Sequence, residues 1–223
     1  CAAFFKKYQA LVMIGLYITG IVLGIIVALI LKNTAFRGKP VPFVMELPNY
    51  RLPSAKSVGL LLWDKAKDFI QRAFTVIFFA TIIIWFLETF DAKLNVVKDS
   101  SDSLLALIGQ AISPIFKPLG FADWRVTTSL ISGFTAKEAV VSTMAVLMNT
   151  STANLGTALS GAFSTLSALS FLVFTLLYTP CVAAVATIKR ELDSRIQTVG
   201  VVIMQCMVAW LCGCAVYQIG ALL

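Results

Sequence analysis

From Tyr8 to Leu31 the chain carries no charged side chain, and neither Ala139 to Ile188 nor Ile196 to Leu223 contains one. A helix needs about 20 apolar residues to cross a hydrocarbon core. Each stretch is long enough for one passage, and the middle one for more than one. Composition agrees: 59% of residues are hydrophobic, 13% are charged, and the mean hydropathy is +0.89, far too apolar for a soluble domain of this length. Unpartnered backbone groups do not persist in lipid, and these runs lack the period-two alternation of an outer-membrane barrel, so the spans are expected to be α-helices. The expected class is all-α: a polytopic helical membrane protein with broken or re-entrant helices, forming a single transmembrane domain over residues 1–223.

Hydropathy places spans at about 10–31, 73–90, 126–148, 159–188 and 199–222. Gly20 and Gly24 form a GxxxG in the first of these, which either admits a neighbouring helix or reflects how common glycine is in membrane helices. Residues 32–72 are expected to be a cytoplasmic loop, rich in proline through Pro40, Pro42, Pro48 and Pro53, that leads into an interfacial amphipathic helix over Val58–Arg72. Leu104–Phe116, interrupted by Pro114, is too short to cross and is expected to be interfacial or re-entrant.

The net charge of +7 does not point to nucleic acid, because the basic residues gather between apolar runs and no aromatic-basic face accompanies them. Topology accounts for them better. Lys32, Arg37, Lys39, Arg51, Lys56, Lys65, Lys67 and Arg72 outnumber Glu46, Asp64 and Asp68, so this stretch belongs inside, and Lys189, Arg190 and Arg195 put the last loop there too. Three single crossings between these loops would put them on opposite sides. The conflict disappears if the segment around Lys137 and Glu138 dips in and returns as a broken or hairpin helix, which membrane depth tolerates where the break lines a cavity or is buried in protein. Cys1, Cys181, Cys206, Cys212 and Cys214 sit mostly within apolar sequence and are expected to be free thiols. The chain starts at Cys1, directly before a span, and is expected to be a fragment of a longer polypeptide.

Two segments carry chemistry. In "GFTAKEAVVST", Gly133 to Thr143, Lys137 and Glu138 interrupt an apolar run, and an ionisable group there costs on the order of 3 kcal/mol. Either the pair ends a helix at the interface, neutralising itself or snorkelling, or Glu138 faces a polar cavity as a cation ligand or proton site with Lys137 holding its surroundings. Gly133 and Thr135 suit a helix break that frees carbonyls for that cavity. In "TPCVAAVATIKRE", Thr179 to Glu191, Pro180 gives no backbone hydrogen bond and leaves the carbonyl near Leu176 without its usual partner. Cys181 beside it is either a small buried residue after a kink or a ligand for a soft or borderline divalent metal. Met204, Cys206, Met207, Cys212 and Cys214 add sulfur to the last span, as further ligands or as ordinary core fillers. The chain has no His, which excludes a His-built zinc site and a Ser-His-Asp triad. The GxxxxGK[ST] phosphate loop is also absent.

Taken together, "PFVMELPNYRLPS" (Pro42 to Ser54), "PLGFADWR" (Pro118 to Arg125), "GFTAKEAVVST" and "LLYTPCVAAVATIKRE" (Leu176 to Glu191) resemble, in order and over essentially the whole chain, the membrane half of FeoB-type ferrous iron transport proteins. The resemblance implies a transporter domain, not an enzyme, for uptake of Fe(II) across a bacterial cytoplasmic (inner) membrane. Tyr178 to Ala184 look like the second of the family's two gate segments, which are similar to those of nucleoside transporters. Cys181 then stands as first metal contact and Glu138 as second, with Pro180, Gly133, Thr135 and Lys137 as gate or hinge residues. The resemblance implies no cofactor in this segment, Fe(II) being cargo, while GTP and Mg belong to a GTPase domain that would precede Cys1. Glu46 and Arg51 are expected to relay its movement. Expected partners are ferrous iron, the lipid bilayer, that GTPase domain, a small Feo accessory protein and further copies of the chain, with no nucleic acid. The rival readings are a nucleoside-type or other solute transporter and a non-transporting gate-type scaffold.

Overall fold

The computed structural model describes residues 4, 5, 7–34, 54–97, 99–178 and 181–222. Helices α1 (Gln9–Asn33), α2 (Ala55–Thr89) and α9 (Arg195–Leu222) are each long and apolar enough to cross a membrane. Between α2 and α9 the chain breaks into shorter pieces: α3 (Leu104–Ile112), α4 (Trp124–Ser132), α5 (Ala139–Leu147), α6 (Leu155–Ala162), α7 (Thr165–Leu177) and α8 (Val182–Leu192). Among the described residues no strand occurs beyond an isolated bridge between Phe90 and Val96. This is an all-α, multi-pass membrane protein.

Local sequence explains most of the boundaries. Ser54, Ser103 and Ser164 accept backbone N–H bonds from Ser57, Ala106 and Ser167 and so start α2, α3 and α7, while Asp123 accepts from Arg125 at 2.8 Å and starts α4. Pro114 and Pro118 turn the chain after α3 into a 3-10 stretch, Ser113–Leu119, ended by Gly120 at φ 82°. Gly120 also abuts the Tyr217 ring so closely that a side chain there would collide with it.

The hydropathy reading divides the helices differently. A surface helix over 58–72 and a span over 73–90 are in fact one helix, α2, because nothing around Arg72 interrupts its hydrogen-bond ladder. At about 1.5 Å per residue its 35 residues exceed one hydrocarbon thickness. The 126–148 segment is α4 and α5 separated by a turn, each too short to cross alone. Leu104–Leu119 and Trp124–Ser132 meet at 106°. The 159–188 segment bends twice: α6 and α7 meet at 119° around Phe163, and α7 and α8 part after Leu177. Pro180, the expected breaking residue, lies outside the described residues.

The core sits where α3, α4, α5, α7 and α9 meet. Leu105, Ala106, Leu119, Val126 and Ala209 are fully buried there. Because lipid is as apolar as these side chains, close approach and internal hydrogen bonds hold the helices together rather than exclusion of water. Gly109 lies directly against Thr128, and Gly213 against Leu119. Ser170 Oγ donates to Gly213 O at 2.9 Å, Trp210 Nε1 to Ile115 O at 3.0 Å, and Gln218 Nε2 to Pro118 O at 3.0 Å. Helix α9 thereby holds both α7 and the 3-10 stretch. By contrast α1 has no buried residue and leans on α7 through Gly20, against Leu176. Gly24, its GxxxG partner, meets nothing within 4 Å.

Candidate functional site

The two interrupted segments meet at their breaks. Helix α4 ends within its own turn: Gly133 N–H donates to Ser129 O at 2.9 Å, Phe134 N–H to Ile131 O at 3.1 Å, and Thr135 N–H to Ser132 O at 3.1 Å. Thr135 Oγ1 adds a second bond to Ser132 O at 2.7 Å. The other break docks here, since Val182 N–H donates to Phe134 O at 3.0 Å. Gly133 permits the contact, because a Cβ at that position would run into Val140 and lie 2.7 Å from the Tyr178 hydroxyl.

Helix α7 has one local bond at its end, Tyr178 N–H to Phe174 O at 2.8 Å, and takes its further donors from elsewhere. Lys137 Nζ, from the first break, donates to Thr175 O at 3.0 Å, Leu176 O at 3.3 Å and Tyr178 O at 3.3 Å. It also lies 4.8 Å from the centre of the Tyr178 ring. The last carbonyls of a helix carry about half a negative charge and have no partners of their own. Three such oxygens with an aromatic face make a cage for a cation, here filled by a tethered ammonium. Proline at 180 has no N–H to offer Leu176 O, and Lys137 supplies the missing donor.

The remaining site residues lie around this cage without converging on it. Cys181 is half-buried and within electrostatic reach of Lys137. It borders a groove of about 690 Å³ formed with Phe69 and Ile77 of α2, Ala184 and Thr187 of α8, and Val201 of α9. Lys137 borders a different groove, of about 630 Å³, between α1 and α7. Glu138 stands at the N-cap of α5 without capping it by its side chain, and is exposed. No hydrogen bond joins it to Cys181, and no group of three or more His, Cys, Asp or Glu able to hold a metal ion occurs among the described residues. What the breaks bring together is one thiol, three backbone carbonyls and a lysine. Glu46, Arg51 and Pro180 lie outside the described residues.

Residues 13–65 match the family described as ferrous iron transport protein B C terminus, and residues 70–195 match the Gate family, described as nucleoside recognition. The chain belongs to the FeoB-type family, in its Gate-containing membrane part. Among its relatives, the Fe(2+) transporter FeoB of Staphylococcus aureus (strain MSSA476) is 36% identical over 219 residues, 98% of this chain and 33% of the relative. The FeoB of Methanocaldococcus jannaschii is 35% identical over 197 residues, 85% of this chain and 29% of that protein. A fusion of Fe(2+) transport protein A with FeoB in Porphyromonas gingivalis is 32% identical over 268 residues, 99% of this chain and 32% of the fusion. This FeoB-type chain thus spans about a third of the length of these relatives. No solved structure matches it.

Within the Gate match of this FeoB-type chain lie both breaks, Lys137, Glu138 and Cys181. Two residues without a clear signal in the sequence come forward in the structure. Tyr178, which closes one side of the cage, stands two positions before the proline, where an aromatic is easily taken for lipid-facing bulk. Glu88 ends an apolar run near Thr89, and its only signal in the sequence is a carboxylate one turn inside the end of a span.

Proposed function

We propose that this chain is the membrane permease segment of a ferrous iron uptake protein of the bacterial inner membrane, driven by a GTPase domain elsewhere in the full-length protein. The observation that carries this reading is the cage at the end of α7, beside Cys181 and occupied by Lys137 Nζ. Fe(II) crossing a membrane exchanges part of its water shell for protein ligands and must then leave them. Backbone carbonyls with a single thiol suit a borderline cation held weakly. Lys137 is then the gate. While its ammonium sits on the three carbonyls no second cation fits, and when it withdraws the carbonyls and the Cys181 thiol face the route between the two grooves. Glu138, adjacent and exposed, serves as a further cation contact on that route, and Gly133, Thr135 and Pro180 allow the hinge.

The ion pair between Arg190 Nη1 and Asp68 Oδ2, at 3.2 Å, places the first part of α2 and the end of α8 at one level. That supports a shared cytoplasmic side for both basic regions, and single cysteines introduced at Ser151 and Ser194 are expected to react from opposite sides. Coupling through Glu46 and Arg51 belongs to the same proposal. So does a small Feo accessory partner, for which the P. gingivalis fusion is the support. The test is uptake of radiolabelled Fe(II) by cells making the full-length protein, with Cys181→Ser, which removes the thiol ligand, expected to lose at least about tenfold. The competing reading is a nucleoside-type transporter, which the description of the Gate match as nucleoside recognition names and the FeoB relatives do not favour. Labelled uridine accumulating while Fe(II) does not would establish that reading and overturn ours.

A further inference from the structure

On the other side of Ser132 from the gate lies a cavity of about 240 Å³ whose polar walls come from Glu88 of α2, Ser100 and Ser103 before α3, Thr128 of α4, and Ser142 and Thr143 of α5. Ser132 Oγ donates to Glu88 Oε1 at 3.1 Å, which fixes the carboxylate and leaves its second oxygen for the cavity. The neighbouring hydroxyls spend their protons elsewhere: Ser103 Oγ donates to Ser100 O at 2.8 Å and Ser142 Oγ to Ala139 O at 3.1 Å. A hydroxyl whose proton is committed presents only lone pairs to whatever stands beside it. Thr128 is 1% exposed, and its Oγ1 has no hydrogen-bond partner among the described residues. Among the described residues no Lys or Arg lines the cavity. The described walls are therefore acceptor-rich, carry one formal negative charge and contain neither sulfur nor ring nitrogen.

We infer that this cavity binds a hard divalent cation with most of its water shell, through Glu88 and the hydroxyls of Ser103, Ser142 and Thr143. Oxygen-only ligands select hard ions, and one carboxylate among neutral oxygens replaces few of the waters. Six waters at about 30 Å³ each occupy about 180 Å³, which the cavity accommodates. Glu88 lies twenty positions along α2 from Asp68, about 30 Å at 1.5 Å per residue, so the site stands about one hydrocarbon thickness from the Asp68–Arg190 pair. Ser132 joins it to the gate, since its hydroxyl holds Glu88 while its carbonyl holds Thr135. The cavity is thus placed to hold a hydrated ion before the breaks, and binding there is independent of whether iron is carried.

Mn(II) is the probe, added to the nucleotide-free full-length protein in detergent, with bound ion read from the loss of the free Mn(II) electron paramagnetic resonance signal. The parent is expected to hold one more Mn(II) than Glu88→Gln, with a Kd of about 0.1–1 mM, and the variant to weaken that site at least tenfold. The paired change Ser142→Ala with Thr143→Val leaves the Glu88–Ser132 bond in place and is expected to weaken it about threefold. Equal Mn(II) binding by parent and Glu88→Gln overturns the inference; should that variant not fold, unchanged binding in the paired variant does so. Cys181→Ser is expected to retain this Mn(II) while losing Fe(II) uptake, so the two proposals fail separately.

Discussion

The ends of α4 and α7 solve one problem in opposite ways. Both stop within an apolar segment, and both leave carbonyls that need donors. At α4 the donors are local, the N–H groups of Gly133, Phe134 and Thr135 with the Thr135 hydroxyl. At α7 one donor is local, Tyr178 N–H to Phe174 O at 2.8 Å, but Thr175 O, Leu176 O and Tyr178 O take theirs from 38 to 41 positions away, through the single side chain of Lys137. A self-capped end holds as long as its own turn does. A remotely capped end opens when one group moves, which is why the proposed gate is placed at the α7 end.

The sharpest way to break this contrast is Lys137→Met, which keeps the stem and removes the donor. Three charge-assisted bonds disappear, and a loss of about 3 kcal/mol is expected, read as the unfolding midpoint of the detergent-solubilised full-length protein. Thr135→Val removes one local bond and is expected to cost about 1 kcal/mol. Equal costs would abolish the distinction between the two ends. Gly133→Ala comes next: its methyl meets Val140 and the Tyr178 hydroxyl, and overpacking of about 1–3 kcal/mol is expected in the same assay. Tyr178 sharpens the role of the cage wall. Tyr178→Leu removes the ring beside the ammonium and is expected to cost about 1–2 kcal/mol, whereas Tyr178→Phe is expected to be nearly neutral because the buried hydroxyl has no partner among the described residues.

The smallest effect lies away from both breaks, in the turn after α2. Asp91 Oδ1 accepts from Lys93 N–H at 2.7 Å and Asn95 N–H at 2.9 Å. The Asn95 backbone bond is the main reason its carboxyl is held below the usual carboxylate range, against the opposing pull of desolvation. A depressed pKa contributes stability that is fully present above the ordinary value of 3.8 and is lost as pH falls through the lower folded value. Hydrogen exchange at Lys93 and Asn95 is therefore expected to keep its protection down to about pH 4 and to lose it below. Exchange at the two breaks has no reason to follow Asp91.

Much of the site is legible in the sequence, because its signals are local. Lys137 in an apolar run, Gly133 beside it and a proline ahead of a cysteine each mark a position where a membrane helix is interrupted, and the family resemblance rests on those same residues. The partners are harder to read. Lys137 next to Glu138 invites a neutralised pair or a shared cavity, yet the ammonium turns to the end of α7 while Glu138 stays exposed at the start of α5. The fusion of 58–72 with 73–90 into α2 is hidden because amphipathic and apolar patterns both satisfy one helical period. Glu88 escapes notice because a single acid near the end of a span looks like an ordinary boundary.

By itself the order of residues decided that this chain is helical, that it belongs in lipid and where its helices are interrupted, because those outcomes depend on runs and breakers within one or two turns of backbone. The tertiary structure alone decided that the two interruptions meet, that a lysine closes the end of another helix and that Glu88 shares a cavity with hydroxyls from the turn before α3 and from α5 while bonding Ser132 of α4. Contacts between positions forty residues apart depend on how helices bend and pack, and no local pattern carries that information.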